Sequence, residues 1–287
     1  MGLLDGKVAI ITGAGGGLGR QHALLLASEG AAIVVNDLGG DRAGGGKGSD
    51  MADAVVQEIK GAGGEAVANY DSVATVEGGQ GILETALKAF DKADILVNNA
   101  GILRDKSFAK TEEADWDAVL AVHLKGAYCV TRPLFQHLKE RGDGGVIVNT
   151  SSTSGLIGNF GQCNYGAAKA GIAGFTRCLA LEGKKYEIRV WGLVPVAVTR
   201  MTEDLPGMEQ ARESLDPSTV SPAVLYMVSS LSGDKTGKFL FAGGGRVAEL
   251  KIVASKGIKK GGSLRAQDIA AAEGDIYLPD EPLGLMG

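Results

Sequence analysis

Cysteine is scarce in this chain of 287 residues, with only Cys129, Cys163 and Cys178 present and no C-x-x-C pair among them. An odd, scattered set excludes a disulfide framework and fits buried thiols in a reducing compartment. Histidine is equally sparse: His22, His123 and His137 have no ligand spacing, so no metal is expected. No apolar run reaches the ~20 residues needed to cross a bilayer. Met1 to Lys7 leads directly into a strand pattern without a secretory leader. The terminal Gly284-Leu285-Met286-Gly287 is not a peroxisomal address, so the cytoplasm is the expected location. A net charge of −5 excludes a general nucleic-acid binder. Neither nucleic acid nor membrane is an expected partner.

Glycine, by contrast, is abundant, at 45 residues. The segment KVAIITGAGGGLGRQHALLLASEGAAIVVND reads as strand, glycine turn, helix and strand. Val8 to Ile11 form a continuous apolar run, as a strand buried on both faces requires. Gly13, Gly17 and Gly19 follow in a T-G-x-x-x-G-x-G spacing. Such glycines let backbone amides approach a pyrophosphate, with the helix starting near Leu18 directing its positive end at it. The second strand ends at Asp37, twenty-four residues after Gly13. A carboxylate there accepts ribose hydroxyls and repels a 2′-phosphate, which favours NAD over NADP. Arg42 and Lys47, in the loop LGGDRAGGGKGSD, could oppose that choice by binding a phosphate. The loop reads as flexible, so Asp37 decides.

The most informative run is TSSTSGLIGNFGQCNYGAAKAG, which holds Ser152, Tyr165 and Lys169. Tyr165 and Lys169 lie one helical turn apart on the same face. A free phenol titrates near pH ~10, and a neighbouring ammonium lowers that value. Such a tyrosine exchanges protons with an alcohol or a carbonyl. Ser152 stands where the apolar strand VIVNT runs out and could polarise the same oxygen. Cys163, two residues before Tyr165, either lines that pocket or packs against its neighbours.

Strand and helix patterns alternate along the chain without repeats or a long linker, which implies a parallel sheet with right-handed crossovers. Gly61-Ala62-Gly63-Gly64 and Gly142-Asp143-Gly144-Gly145 each close a helix before the next strand. Ligands bind at the carboxyl ends of strands in such sheets, where Gly13, Asp37, Asn98 and Ser152 all fall.

Taken together, TGAGGGLGR, Asn98-Asn99-Ala100-Gly101, and Tyr165-x-x-x-Lys169 with Ser152 resemble the short-chain dehydrogenase/reductase family over about residues 5 to 245. The resemblance implies an α/β Rossmann fold: one doubly wound, seven-stranded parallel sheet with helices on both faces. It also implies an NAD-binding domain over 1–245, and a C-terminal extension over 246–287 packed on that domain or on a partner subunit. Tyr165 would be the acid/base, Lys169 would hold the nicotinamide ribose and lower the phenol pKa, and Ser152 would orient the carbonyl. Asn98, Ala100 and Gly101 would line the adenosine–ribose side. Asp71, Ser72 and Val73 would meet the adenine, while Pro195, Val198 and Thr199 would meet the nicotinamide end or the diphosphate. A homodimer or homotetramer is implied as well.

NDLGGDRAGGGKGS, VANYDSV, NNAGILRDKSF, VHLKGAY and GNFGQCNYGAAKAG are similar to one subgroup, the (3R)-hydroxyacyl-CoA dehydrogenase unit of multifunctional enzyme type 2. That similarity implies oxidation of a 3-hydroxyacyl-CoA. A hydroxysteroid or other secondary alcohol is the alternative substrate, and a non-catalytic nucleotide-binding protein is a remote one. Three positions depart from the wider family. His123 stands where an asparagine usually steadies a relay water, and it should face the sheet. Trp191 replaces an asparagine and Val196 a glycine, so the loop after Pro195 should be shaped differently, since valine avoids positive φ. The segment VTRMTEDLPGMEQARESLDPST corresponds to the family's substrate lid, with Met201, Leu205 and Met208 as its apolar side. Lys251, Lys256, Lys259 and Lys260 in the tail form either a solvated face or a contact to CoA phosphates.

Overall fold

A computed structural model describes residues 2–199 and 212–279. The chain falls into two compact units, residues 1–250 and 251–287. The first is built on one sheet of the order β3-β2-β1-β4-β5-β6-β7-β8. Its strands are β1 (Val8–Thr12), β2 (Ala32–Asn36), β3 (Ala66–Asn69), β4 (Ile95–Asn98), β5 (Gly145–Thr150), β6 (Ile188–Pro195), β7 (Phe239–Gly243) and β8 (Arg246–Leu250). Seven pair in parallel, and β8 returns antiparallel on β7 with Phe239 opposite Leu250. The first unit therefore runs through Leu250, five residues past the division that the sequence pattern suggests.

The helices of this unit are α1 (Gly17–Ser28), α2 (Asp50–Gly61), α3 (Val76–Phe90), α4 (Glu113–Leu120), α5 (Gly126–Arg141), α6 (Thr153–Leu156), α7 (Cys163–Gly183) and α8 (Ser221–Val228). Alternate strand residues feed two cores, as a pleated strand dictates. Ala9 and Ile11 of β1 join Ala23 and Leu26 of α1, Val55 of α2 and Val224 of α8. Val8 and Ile10 join Ile82 of α3, Leu134 of α5 and Ala180 of α7 on the other face. Burying each valine, leucine or isoleucine among them contributes about 1.5–3 kcal/mol, which explains why these strands read as unbroken apolar runs.

Helix ends follow local chemistry. Thr75 caps α3 by accepting from the Gly78 amide, and Gly142 ends α5 with φ 77. Between α4 and α5, residues Ala121–Lys125 form a single π-helical turn. Such bulges recur at functional sites, and this one carries His123. Trp191, 1% exposed, fills the core beside α8 with its ring edge-on to Tyr226. Val196 keeps the chain on the sheet, its amide donating to Ala242 O at 2.9 Å. Positive φ among described non-glycine residues occurs only at Asp91 and Glu187. The altered loop thus extends β6, and Gly243 makes room: a Cβ there would meet Val196 O at 2.4 Å.

The second unit contains two short helices, α9 (Ala266–Ala270) and α10 (Glu273–Ile276). It is held by Lys260 on Asp268 at 2.7 Å and Ser255 Oγ on Ile276 O at 2.6 Å. Lys260, one of the four tail lysines, is thus engaged within its own unit. No helix of the described residues is long and apolar enough to cross a membrane.

His22 in α1 is fully buried, with Nδ1 2.8 Å from Ser221 Oγ of α8. Burial pushes its pKa down to about 3, so the folded protein keeps the imidazole neutral. The unfolded chain takes up that proton below its ordinary value near ~6.5. Stability from this site is therefore complete above that value and is lost as pH falls towards 3. His22→Gln should flatten the stability–pH curve between pH ~6 and ~4 by up to about 1.4 kcal/mol per pH unit, read by urea unfolding. An unchanged slope would contradict the assignment.

Candidate active site

The sheet order reverses between β1 and β4, since β1 has β2 on one side and β4 on the other. Crossovers leave in opposite directions there, opening a crevice at the carboxyl ends of the strands. A cleft enclosing about 1270 Å³, part of it open solvent, occupies that place. Its walls bring together Gly13, Gly17, Leu18, Asp37, Asp71, Ser72 and Val73 at one end. Ala100, Gly101, His123, Tyr165, Lys169, Pro195 and Thr199 line the other.

The glycine turn works by close approach. Gly13 has φ +64, and a Cβ there would lie 2.7 Å from Ala100 Cα. Gly17 has φ +51 and opens α1, whose N-cap residue Gly16 offers no side-chain cap. The first amides of α1 are thus left for a ligand, with the helix dipole behind them. Asp37 is held in place by the Gly15 and Gly39 amides, each 2.8 Å from one carboxylate oxygen. Narrow glycine turn, uncapped helix and strand-end carboxylate together fit a dinucleotide.

Three sequence-predicted cofactor residues stand outside the cleft wall. Gly19 packs behind the turn, where a Cβ would meet Gly13 O at 2.2 Å. The Asn98 amide donates to Thr131 Oγ1 and Asn149 Oδ1, both at 2.8 Å, facing the core. Val198 is buried, its amide donating to Leu215 O. Asn99, within the Asn98–Gly101 stretch, does line the cleft, and its side-chain amide donates to Thr12 O and Gly13 O at 3.0 and 3.1 Å. Its place in Asn98-Asn99-Ala100-Gly101 was the available signal; alternation along β4 did not say which asparagine faces the turn.

The loop after β2 also differs from expectation. It is folded, with Asp41 Oδ1 accepting from the Ala43 and Gly45 amides. Arg42 O accepts from Leu103 N and Ala43 O from Arg104 Nε, both at 3.0 Å. This loop clasps the segment that follows β4. Met201, Leu205 and Met208 lie outside the described residues.

At the deeper end, Ser152 is the N-cap of α6, its Oγ accepting from Ser154 N at 3.2 Å, which leaves the hydroxyl proton free to donate. Asn164 secures the start of α7 by donating to Arg104 O and accepting from Tyr165 N. Lys169, 3% exposed, donates Nζ to Thr150 O at 2.7 Å and lies 5.5 Å from the Tyr165 ring centre. Although the Tyr165 ring is partly exposed, burial pushes the phenol up to about 12, against a lowering by the Ser152 hydroxyl. Lys169 is itself pushed down to about 7 by burial. The expected lowering of the phenol by the lysine is thus outweighed here. Desolvation penalises both charged forms, and the ammonium is aimed at the Thr150 carbonyl.

His123 is 3% exposed and edge-on to Tyr165, ring centres 5.1 Å apart. Its Nε2 is 2.8 Å from Ile102 O and 3.1 Å from Ile102 N; we assign the shorter contact as a bond donated to the carbonyl, which leaves Nδ1 as the acceptor. Burial first, and the Lys169 charge second, hold its pKa well below the ordinary value, so the ring is neutral. A small internal cavity lies behind it, bordered by Asn98, His123, Thr150 and Lys169. His123 Nδ1 and Thr150 Oγ1 are buried without a hydrogen-bond partner. Two orphan polar atoms at one polar cavity fit a bound water. Gly101 is what admits the ring, for a Cβ there would meet His123 Cε1 at 2.3 Å.

The family model described as short chain dehydrogenase matches residues 7–210. A short-chain type dehydrogenase/reductase of Mycobacterium tuberculosis is 50% identical over 270 residues, 94% of this chain and 93% of the relative. Peroxisomal multifunctional enzyme type 2 of Mus musculus is 49% identical over 248 residues, 86% of this chain but only 33% of that longer protein. A short chain dehydrogenase from Mycobacterium avium superposes with TM-score 0.85 at 41% identity, over 97% of this chain and 98% of that one. Two further matches carry a chemistry in their names. Hydroxyacyl-CoA dehydrogenase ChsB1 of Mycobacterium tuberculosis is 36% identical over 85% of this chain and 79% of its own. A 7α-hydroxysteroid dehydrogenase crystallised with NADH and a 7-oxo bile acid has TM-score 0.76 at 30% identity, over 84% of this chain and 94% of that one.

Gly101→Ala should displace the His123 ring and cost about 1–3 kcal/mol by overpacking. Adding His123→Asn, which shortens the side chain, should recover most of that loss. Thermal unfolding of the two single variants and the double variant measures the coupling; additive losses would show that the two positions do not touch.

Proposed function

The chain belongs to the short-chain dehydrogenase/reductase family, and from that premise we propose that it interconverts a 3-hydroxyacyl-CoA and its 3-oxoacyl-CoA with NAD. The observation that supports the reaction type is the placing of Tyr165 and Lys169 on the wall of a cleft that also carries Asp37, with the Ser152 hydroxyl bonded to the Tyr165 phenol. Similarity to a hydroxyacyl-CoA dehydrogenase and to a multifunctional peroxisomal enzyme supports the substrate class. A hydroxysteroid is the second reading, supported by the likeness to a 7α-hydroxysteroid dehydrogenase.

In this reading the substrate hydroxyl sits between Ser152 Oγ and the Tyr165 phenol, Ser152 donating to the oxygen as it becomes a carbonyl. Tyr165 exchanges the hydroxyl proton as general base or acid. Bound NAD⁺ would supply the hydride acceptor and a positive ring charge that favours the phenolate. The amides at the start of α1 would hold the diphosphate, Asp37 the adenosine ribose, and Lys169 the ribose nearer the phenol. The proton would leave through Lys169 and a water held by Thr150 Oγ1 and His123 Nδ1. Neutral His123 suits that place, because it accepts a hydrogen bond without adding charge beside the lysine.

NADH formation at 340 nm, with 3-hydroxyacyl-CoA beside a hydroxysteroid and with NAD⁺ beside NADP⁺, tests the reading. Turnover of the thioester with NAD⁺ is expected; turnover of the steroid alone would move the assignment to the second reading. Tyr165→Phe should lower kcat by roughly 10²–10⁴ through loss of acid/base catalysis, and a loss below tenfold would remove Tyr165 from that role. Asp37→Ser should improve kcat/KM with NADP⁺ by about tenfold or more, because a repelling carboxylate leaves the ribose site. An unchanged NADP⁺ profile would show that Asp37 does not select the cofactor.

A further inference from the structure

The segment after β4 runs outward from the catalytic end and carries a group of charges that the reaction does not use. Its inner residue, Ile102, bonds His123, and Arg104 O accepts from Asn164, the neighbour of Tyr165. Beyond them, Arg42, Arg104, Asp105, Lys106 and Asp115 line a groove that shares Arg42 with the cofactor cleft. Three cations and two carboxylates line it, Asp41 also acts on Arg104 and Glu112 on Lys106, and both lining carboxylates are engaged. Asp115 forms ion pairs with Lys106 Nζ at 2.7 Å and Arg104 Nη1 at 3.5 Å, and Asp105 accepts the Gln162 amide at 2.7 Å. Arg104 spends Nε on Ala43 O and Nη1 on Ala114 O, which leaves Nη2 without a hydrogen-bond partner among the described residues. The Lys106 side chain stays 43% exposed. Asp115 therefore holds two cations in place without neutralising both.

Two phenylalanines flank this strip at a level of exposure that packing does not explain. Phe108 is 70% exposed and Phe160 is 92% exposed. The Phe160 loop is tied to the strip by Lys106 N on Gly161 O at 3.0 Å and by the Gln162–Asp105 bond. An aromatic face held in water beside fixed cations matches a ligand that presents an aromatic ring next to phosphate.

We propose that this groove binds the phosphorylated adenosine end of a CoA thioester, with Lys106 and Arg104 on phosphate and Phe160 or Phe108 against the adenine. The pantetheine arm then follows the Ile102–Arg104 segment inward to Tyr165. This assignment rests on the acyl-CoA reading above and adds to it a second anchoring point, one that a steroid has no group to use.

The test compares one 3-hydroxyacyl group carried on CoA and on pantetheine, with NAD⁺ saturating, in the full chain and in Lys106→Gln and Phe160→Ser variants. Phe160 is almost fully exposed, so its replacement leaves folding intact even if Lys106→Gln loosens its loop. The wild-type protein should show a kcat/KM ratio of CoA to pantetheine thioester of at least tenfold, and each variant should reduce that ratio about fivefold or more. Adenosine 3′,5′-bisphosphate should inhibit competitively against the CoA thioester. Inhibition competitive with NAD⁺ alone would mean that the bisphosphate sits in the cofactor's own adenosine site, and would overturn the groove. A wild-type ratio near one, or a ratio that neither variant moves, would also overturn it while leaving acyl-CoA oxidation standing. Turnover of neither thioester would overturn the acyl-CoA reading, and the groove with it.

Discussion

The hydroxyl of Thr12 holds the two halves of the cleft at one distance. Its oxygen accepts from the Asn99 and Ala100 amides at 3.0 and 3.1 Å, and its proton reaches Val97 O at 3.4 Å. Asn99 returns the connection through its amide on Thr12 O and Gly13 O. These bonds join the ends of β1 and β4, the two strands at which the sheet order reverses. Elsewhere in the sheet neighbouring strands are registered by ladder bonds, but beyond Thr12 and Asn98 the strands have ended. Side chains must then do what the ladder no longer does. The gap they hold is narrow enough that only glycine fits at position 13. The first amides of α1 and the wall carrying Gly101 and His123 both hang from this join.

Burial governs the electrostatics at the deeper end. Tyr165, Lys169 and His123 are each driven towards their uncharged forms by the same cause, removal from water. A phenol near 12 beside an amine near 7 is a pair in which neither charged form is strongly held. The proton therefore rests on the phenol, and only a positive charge brought close to the ring would favour the phenolate. The π turn at Ala121–Lys125 contributes by setting His123 against Ile102 and the orphan Thr150 hydroxyl. The neutral imidazole fills space without competing with Lys169 as a cation.

Second-layer contacts run outward from this end in a continuous chain. Ile102 bonds His123, Leu103 N bonds Arg42 O, and Arg104 bonds both Ala43 O and Asn164. The glycine-rich loop after β2 is therefore a wall shared by the cofactor end and the proposed substrate end. Asp41 shapes it by accepting two amides of its own loop, and those bonds keep its carboxyl below the usual range.

Much of this was legible in the chain itself. Unbroken apolar runs such as Val8–Ile11 determine strands buried on both faces, and glycine after strand before helix determines the phosphate turn, because these are local requirements of backbone geometry. The four-residue step from Tyr165 to Lys169 likewise determines a shared helical face. Tertiary structure decided the rest. Which asparagine of the Asn98–Asn99 pair faces the turn depended on the pleat at a strand end. The ordering of the loop at Asp41 depended on a partner segment some sixty residues away, as Arg104 on Ala43 shows. The direction of the Tyr165 pKa shift does not follow from spacing, because desolvation depends on what surrounds a group in space. The antiparallel β8 and the reshaped course at Val196 were set by pairing with β7 and by the room Gly243 leaves. Local periodicity carries backbone preference, whereas burial and long-range pairing exist only once the chain has folded.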